Sequence, residues 1–107
     1  MRSLICATLL LSSFFSGAGE LVRNAVITEV ASSSGNKDVF FVKLSGGTGP
    51  CANGSVEFPA SQSQSEQSYN QAFSIALAAA MSGKKIRIHN YSNNECGGAN
   101  FIGIFTN

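Results

Sequence analysis

The chain has 107 residues, 12% of them charged and 44% hydrophobic, with 11 glycines, three cysteines, no tryptophan and a formal net charge of +1. A chain this short holds one domain, and its apolar content with so few charges excludes global disorder. The near balance of acid and base also excludes a broad phosphate-binding surface, so nucleic acid is not an expected partner.

At the N-terminus, Met1-Arg2 supplies one positive charge and Leu4 to Phe15 is a mostly apolar run, followed by the small residues Ser16, Gly17, Ala18 and Gly19. This is the layout of a secretory signal peptide over residues 1–18, with cleavage after Ala18 or Gly19. The run is too short to span a bilayer, so no membrane span is expected. Cys6 leaves with the peptide, and residues 19–107 form a single domain that is secreted or periplasmic. With Arg2 gone, the seven basic residues become six and equal the six acidic ones. Two cysteines remain, Cys51 and Cys96, which in an exported chain read as one disulfide. Neither has a C-x-x-C partner and His89 is the lone histidine, so no metal site and no cofactor are expected.

Leu21 to Val30 carries Val22, Val26, Ile27 and Val30 among polar residues and reads as a half-exposed strand, stopped by Ser32-Ser33-Ser34-Gly35-Asn36. Val39 to Leu44 is β-branched and aromatic, a second strand paired to the first. Ser45 to Gly54 is glycine-rich and reads as a flexible loop. Its Gly46-Gly47-Thr48-Gly49 lacks the lysine and the following helix of a phosphate cradle. Val56-Glu57-Phe58 is a short third strand ended by Pro59.

From Ser63 the period changes. Tyr69, Ala72, Phe73, Ala76, Leu77, Ala80 and Met81 recur at helical spacing and predict a core-facing stripe on a helix over 65–82. Ser63-Gln64-Ser65-Glu66 has capping-box spacing, and Gly83 is a natural left-handed stop. The opposite face, Ser68, Gln71, Ile75, Ala78, Ala79 and Ser82, is small and uncharged. It suits close approach of a second helix or subunit, although the helix propensity of alanine explains it equally well.

Lys85 to Tyr91 alternates, with Ile86 and Ile88 on one side and Lys85, Arg87, His89 and Tyr91 on the other, which predicts a half-buried strand. A turn over Ser92 to Gly98 leads into a closing strand, Phe101 to Phe105. That strand reads apolar on both faces, with Gly103 marking a bulge or bend. The chain is therefore mainly β with one helix, in the order β-β-β-α-β-β. That is the order of the OB-fold, a five-stranded Greek-key barrel, and an α+β roll with the helix on an open sheet competes with it.

The helix-to-strand junction, Ala76 through Gly83-Lys84-Lys85 to His89, together with Ala25-Val26-Ile27-Thr28-Glu29-Val30, resembles the receptor-binding B subunits of AB5 toxins, in particular the subtilase cytotoxin B-subunit-like group. The resemblance implies a secreted OB-fold protein assembled as a ring, usually a homopentamer, with the helices lining the centre. It further implies a glycan receptor bound on a side face and a separate enzymatic A subunit. A family serine just before the first strand aligns with Arg23, whose guanidinium suits a sialic acid carboxylate. A family tyrosine near the helix end falls at Ala80.

For catalysis, His89 needs a nucleophile and an orienting group, and only Ser92 and Asp38 offer themselves; the carboxylates are otherwise scattered singly. No catalytic residue is assigned. Arg23, Arg87, His89 and Tyr91 are the candidate ligand-binding residues, because a cation, an imidazole and a phenol on one strand face suit a polar glycan or a protein partner. The expected function is a non-enzymatic binding module of the toxin B-subunit type. A monomeric periplasmic protein that binds or inhibits a protein partner is the second reading, and a small hydrolase using His89 the third. Asn53-Gly54-Ser55 and Asn90-Tyr91-Ser92 match the glycosylation acceptor pattern.

Overall fold

The computed structural model describes residues 19–33, 35 and 38–106. The proposed signal peptide, and Ser34 and Asn36 of the first turn, lie outside the described residues. Five antiparallel strands form one sheet: β1 (Glu20–Ser33), β2 (Val39–Ser45), β3 (Ser55–Pro59), β4 (Lys85–His89) and β5 (Phe101–Ile104). Among the described residues one α-helix, α1 (Glu66–Ser82), lies between β3 and β4, preceded by a 3-10 turn over Ala60–Gln62. The expected architecture, mainly β with one helix, is present.

β1 organises the sheet. Its first half pairs with β4 and its second half with β2, and Val26 stands in both ladders, opposite Lys85 and opposite Ser45. Serving two neighbours needs bends. The register slips between Glu20 and Val22, between Arg23 and Ala25, and between Ile27 and Glu29. Asn24 takes a left-handed φ of 65° at the second slip, a conformation asparagine tolerates better than most residues. The irregularity expected at Gly103 is absent, because Gly103 pairs in regular register with Arg87.

The strand order β3-β2-β1-β4-β5 leaves β3 and β5 at the two ends of the sheet, and no ladder between them closes the expected barrel. The ends are nonetheless joined. Glu57 donates its N–H to the Cys96 carbonyl at 2.9 Å, Ala99 donates to the Glu57 carbonyl at 3.0 Å, and Cys51 and Cys96 form the expected disulfide.

The loop after β2 is fastened along β1. Arg23 and Thr48 exchange two backbone hydrogen bonds of 2.9 and 3.0 Å, and Cys51 donates its N–H to the Leu21 carbonyl at 2.9 Å. Gly47 and Gly49 permit this approach, since a Cβ on Gly49 would stand 2.5 Å from the Leu21 carbonyl oxygen. The expectation of a flexible loop is corrected by these contacts.

The core joins Leu21, Val22, Ala25 and Ile27 to the inward residues of the other strands and to Ala76 and Ala79 of α1. Its aromatic centre is Phe40, stacked on Phe58 with ring centroids 4.6 Å apart and met edge-on by Phe73 at 5.2 Å. The helix stops at Gly83 with φ 70°, as expected, but its cap is Ser65, whose oxygen accepts the Ser68 N–H at 3.0 Å. The capping box read from Ser63 to Glu66 is therefore displaced by two residues. Of the expected stripe, Tyr69, Ala72, Phe73, Ala76 and Ala80 pack on the core, but Ala79 and Ile75 join them from the other face and the stripe's Leu77 and Met81 do not. Alanines 72, 76 and 79 let the helix approach the sheet closely, which leaves Leu77 at 44% exposure and Met81 at 82%.

Candidate binding face

Alternation along β4 buries Ile86 and Ile88 and turns Lys85, Arg87 and His89 outward. Pairing then brings neighbours from both sides. Glu20 stands opposite His89, Arg23 opposite Arg87, and Phe101 opposite His89. Tyr91 follows β4 and is held in place by its N–H bond to Asn100 Oδ1 at 3.1 Å. The four residues expected to bind ligand, Arg23, Arg87, His89 and Tyr91, thus share one outer face of the β1–β4–β5 half of the sheet.

The face is a layer of stacked rings and cations. The His89 and Tyr91 rings lie nearly parallel with centroids 5.2 Å apart, and Phe101 meets His89 edge-on at 5.2 Å. The Arg87 guanidinium carbon is 5.1 Å from the Phe101 ring centroid, and that of Arg23 is 5.7 Å from Phe105. The Phe101 ring and the Arg87 side chain lie across Gly103, where a Cβ would meet them in ordinary van der Waals contact at 3.4 and 3.6 Å.

Charge on the face is unevenly compensated. Glu20 Oε2 accepts from Arg23 through Nε and Nη2, both at 2.9 Å. The same oxygen is 3.5 Å from His89 Nε2. Among the described residues, no carboxylate lies within ion-pair distance of Arg87. Both ring nitrogens of His89 are buried without a hydrogen-bond partner among the described residues. That burial pushes the His89 pKa below its ordinary 6.5; Glu20 opposes the shift, and Arg87 and Arg23 reinforce it. Tyr91, in contrast, is 65% exposed.

The partners weighed for His89 in catalysis are elsewhere. Ser92 donates its hydroxyl to Gln62 Oε1 at 3.4 Å, and Asp38 borders a pocket beside Tyr69 at the start of α1. Among the described residues no group of three or more His, Cys, Asp and Glu side chains could hold a metal ion, and no helix is long and apolar enough to cross a membrane.

Sequence reasoning misses Glu20, Phe101 and Phe105 as members of the face. The outward alternation Phe101-Gly103-Phe105 opposite Ile102 and Ile104 is the signal for the two phenylalanines; Glu20 carries none, since only strand pairing places it. Of the small helix face, Ser68, Gln71, Ala78 and Ser82 are exposed and Ile75 is half-buried, while Ala79 lies in the core. The acceptor pattern at Asn90 is closed to modification in this fold. Its side chain is buried, accepts the N–H groups of Ser92 and Asn93, and donates to Asn93 Oδ1 and to the Glu95 carbonyl. Asn53 is exposed, with Oδ1 accepting the Gly46 N–H at 2.7 Å.

A family model described as a family of unknown function, DUF5992, matches residues 2–106. The chain belongs to the DUF5992 family. No curated protein and no solved structure matches it.

Proposed function

We propose that this protein is a secreted or periplasmic, non-enzymatic binding module whose β1–β4–β5 outer face takes a carboxylate-bearing sugar of a glycan. The observation that carries the reading is Arg87, a guanidinium held over Phe101 and lacking a carboxylate partner among the described residues, with the exposed Tyr91 ring meeting the same Phe101 ring edge-on at 6.0 Å. A guanidinium binds a carboxylate through two parallel hydrogen bonds, and an aromatic face accepts the apolar side of a sugar ring. Arg23 supports the site from Glu20 and keeps that acid away from the incoming anion. The disulfide supports an oxidising compartment, as does the signal-peptide layout of residues 1–18.

Calorimetric titration with sialyl-lactose, against lactose as the uncharged control, tests the proposal. Arg87→Ala is expected to weaken sialyl-lactose binding by about tenfold or more, the effect of losing a hydrogen bond to a charged group. Tyr91→Ala is expected to weaken both sugars. Absence of binding to the unaltered protein, or binding untouched by both substitutions, overturns it.

A further inference from the structure

A cleft of about 310 Å³ opens on the other side of Tyr91, between the 3-10 turn and the first turns of α1. Among the described residues no charged side chain lines it. Its polar groups are the amides of Gln62, Gln64 and Asn100 with the Ser63 and Ser68 hydroxyls, and its apolar surface includes Phe58 and the Tyr91 ring. The volume falls at the low end of small-molecule sites, roughly 300–1,000 Å³, which fits a single compact unit.

Two of the amides are oriented by bonds made within the protein. Asn100 Oδ1 accepts the Tyr91 N–H at 3.1 Å, and Gln62 Oε1 accepts the Ser92 hydroxyl at 3.4 Å. Because a backbone N–H can only donate, the oxygen of Asn100 must face Tyr91. Asn100 Nδ2 and Gln62 Nε2 then stand as donors without partners among the described residues. Neutral donors beside an aromatic ring match a ligand rich in hydroxyl oxygens with an apolar ring face. An ionic ligand would give up its hydration here with no counter-charge in the lining.

We propose that this cleft is a subsite for an uncharged sugar unit, with Tyr91 shared between it and the acidic unit on the Arg87 side. The subsite rests on the glycan reading above and divides its ligand into a neutral and a charged part. Amide proton–nitrogen spectra of the protein, recorded during separate additions of galactose, N-acetylglucosamine and N-acetylneuraminic acid, read the two parts independently. The neutral sugars are expected to move the side-chain amide signals of Gln62, Gln64 and Asn100.

Gln64→Ala, an exposed change, and Asn100→Asp, which keeps the acceptor for Tyr91 N–H and removes the donor, are each expected to weaken neutral-sugar binding about fivefold. Arg87→Ala is expected to leave it unchanged. If the neutral sugars move no cleft signal while N-acetylneuraminic acid still binds near Arg87, the subsite fails and the acidic face stands. If none of the three sugars binds, both fail together. If an uncharged blocked peptide, acetyl-Ser-Gly-Ser-amide, moves the same signals as strongly as the sugars do, the assignment to sugar is overturned.

Discussion

His89 is held between two aromatic rings with neither nitrogen hydrogen-bonded among the described residues, and burial favours the neutral imidazole over the charged one. Its pKa in the folded protein lies below the ordinary 6.5, and burial outweighs the opposing pull of Glu20. Between the two values the unfolded chain binds the proton and the folded one does not, so stability falls as pH drops through 6.5 and stops falling below the folded pKa. His89→Phe keeps a ring in the stack and removes the titration. Urea unfolding at pH 7 and pH 5 should then show a smaller loss of stability in the variant than in the original; equal losses would mean that His89 does not set the acid sensitivity. Period-two alternation along 85–91 suffices to put Arg87 and His89 on one face, because that rule is local to a strand. Glu20 reaches the same face only through the pairing of residues far apart in the chain, which no local pattern encodes.

At the scale of elements, β1 is where local reading is weakest. Leu21 and Val22 are consecutive and both fully buried, although successive residues of a strand point to opposite faces and only one of them meets the core. The register slips and the glycine loop laid along β1 account for it: Gly47 and Gly49 come close enough to cover what would be an outward position. Composition identifies that stretch as loop without revealing its docking, since glycines that give freedom and glycines that permit close approach look alike in sequence. Their cost on substitution differs. Gly49→Ala combines a φ of 114° with a Cβ 2.5 Å from the Leu21 carbonyl oxygen, whereas at Gly46, φ 77°, a Cβ meets nothing within 4 Å. Gly46→Ala should cost about 1 kcal/mol, the left-handed penalty alone, and Gly49→Ala about 1–3 kcal/mol for backbone strain before the clash is added. Denaturant midpoints for the two variants measure this, and equal costs would show that the loop does not bear on β1. The exposure of part of the α1 stripe has a similar origin. Spacing alone favours Leu77 and Met81 for the core, but close packing against a sheet rewards the small Ala79 beside Ala76 instead.

For the molecule as a whole, element order and disulfide are legible because the turn residues, the change of period at Ser63 and the even cysteine count each act locally or by simple counting. How the sheet ends meet is not, since it depends on the curvature that β1 acquires from its slips. β3 and β5 stand at opposite ends of the sheet, yet Cys51 lies just before β3 and Cys96 just before β5, and the bond between them spans 45 residues of sequence. In the chain-entropy treatment a loop of that length is worth about 4 kcal/mol, a large fraction of the stability of so small a domain. Its effect should also be local. The Glu57 and Ala99 amides join the β3 end to the segment carrying Cys96, while the β1–β2 and β1–β4 ladders are independent of the bridge. The double substitution Cys51→Ala, Cys96→Ala should therefore lower unfolding free energy by up to about 4 kcal/mol. Hydrogen exchange in the variant should accelerate first at Glu57 and Ala99, with Val42 and Ile88 protected until global unfolding. Uniform acceleration across all five strands would show instead that the bridge stabilises only through the unfolded chain, and that the two ends of the sheet hold together without it.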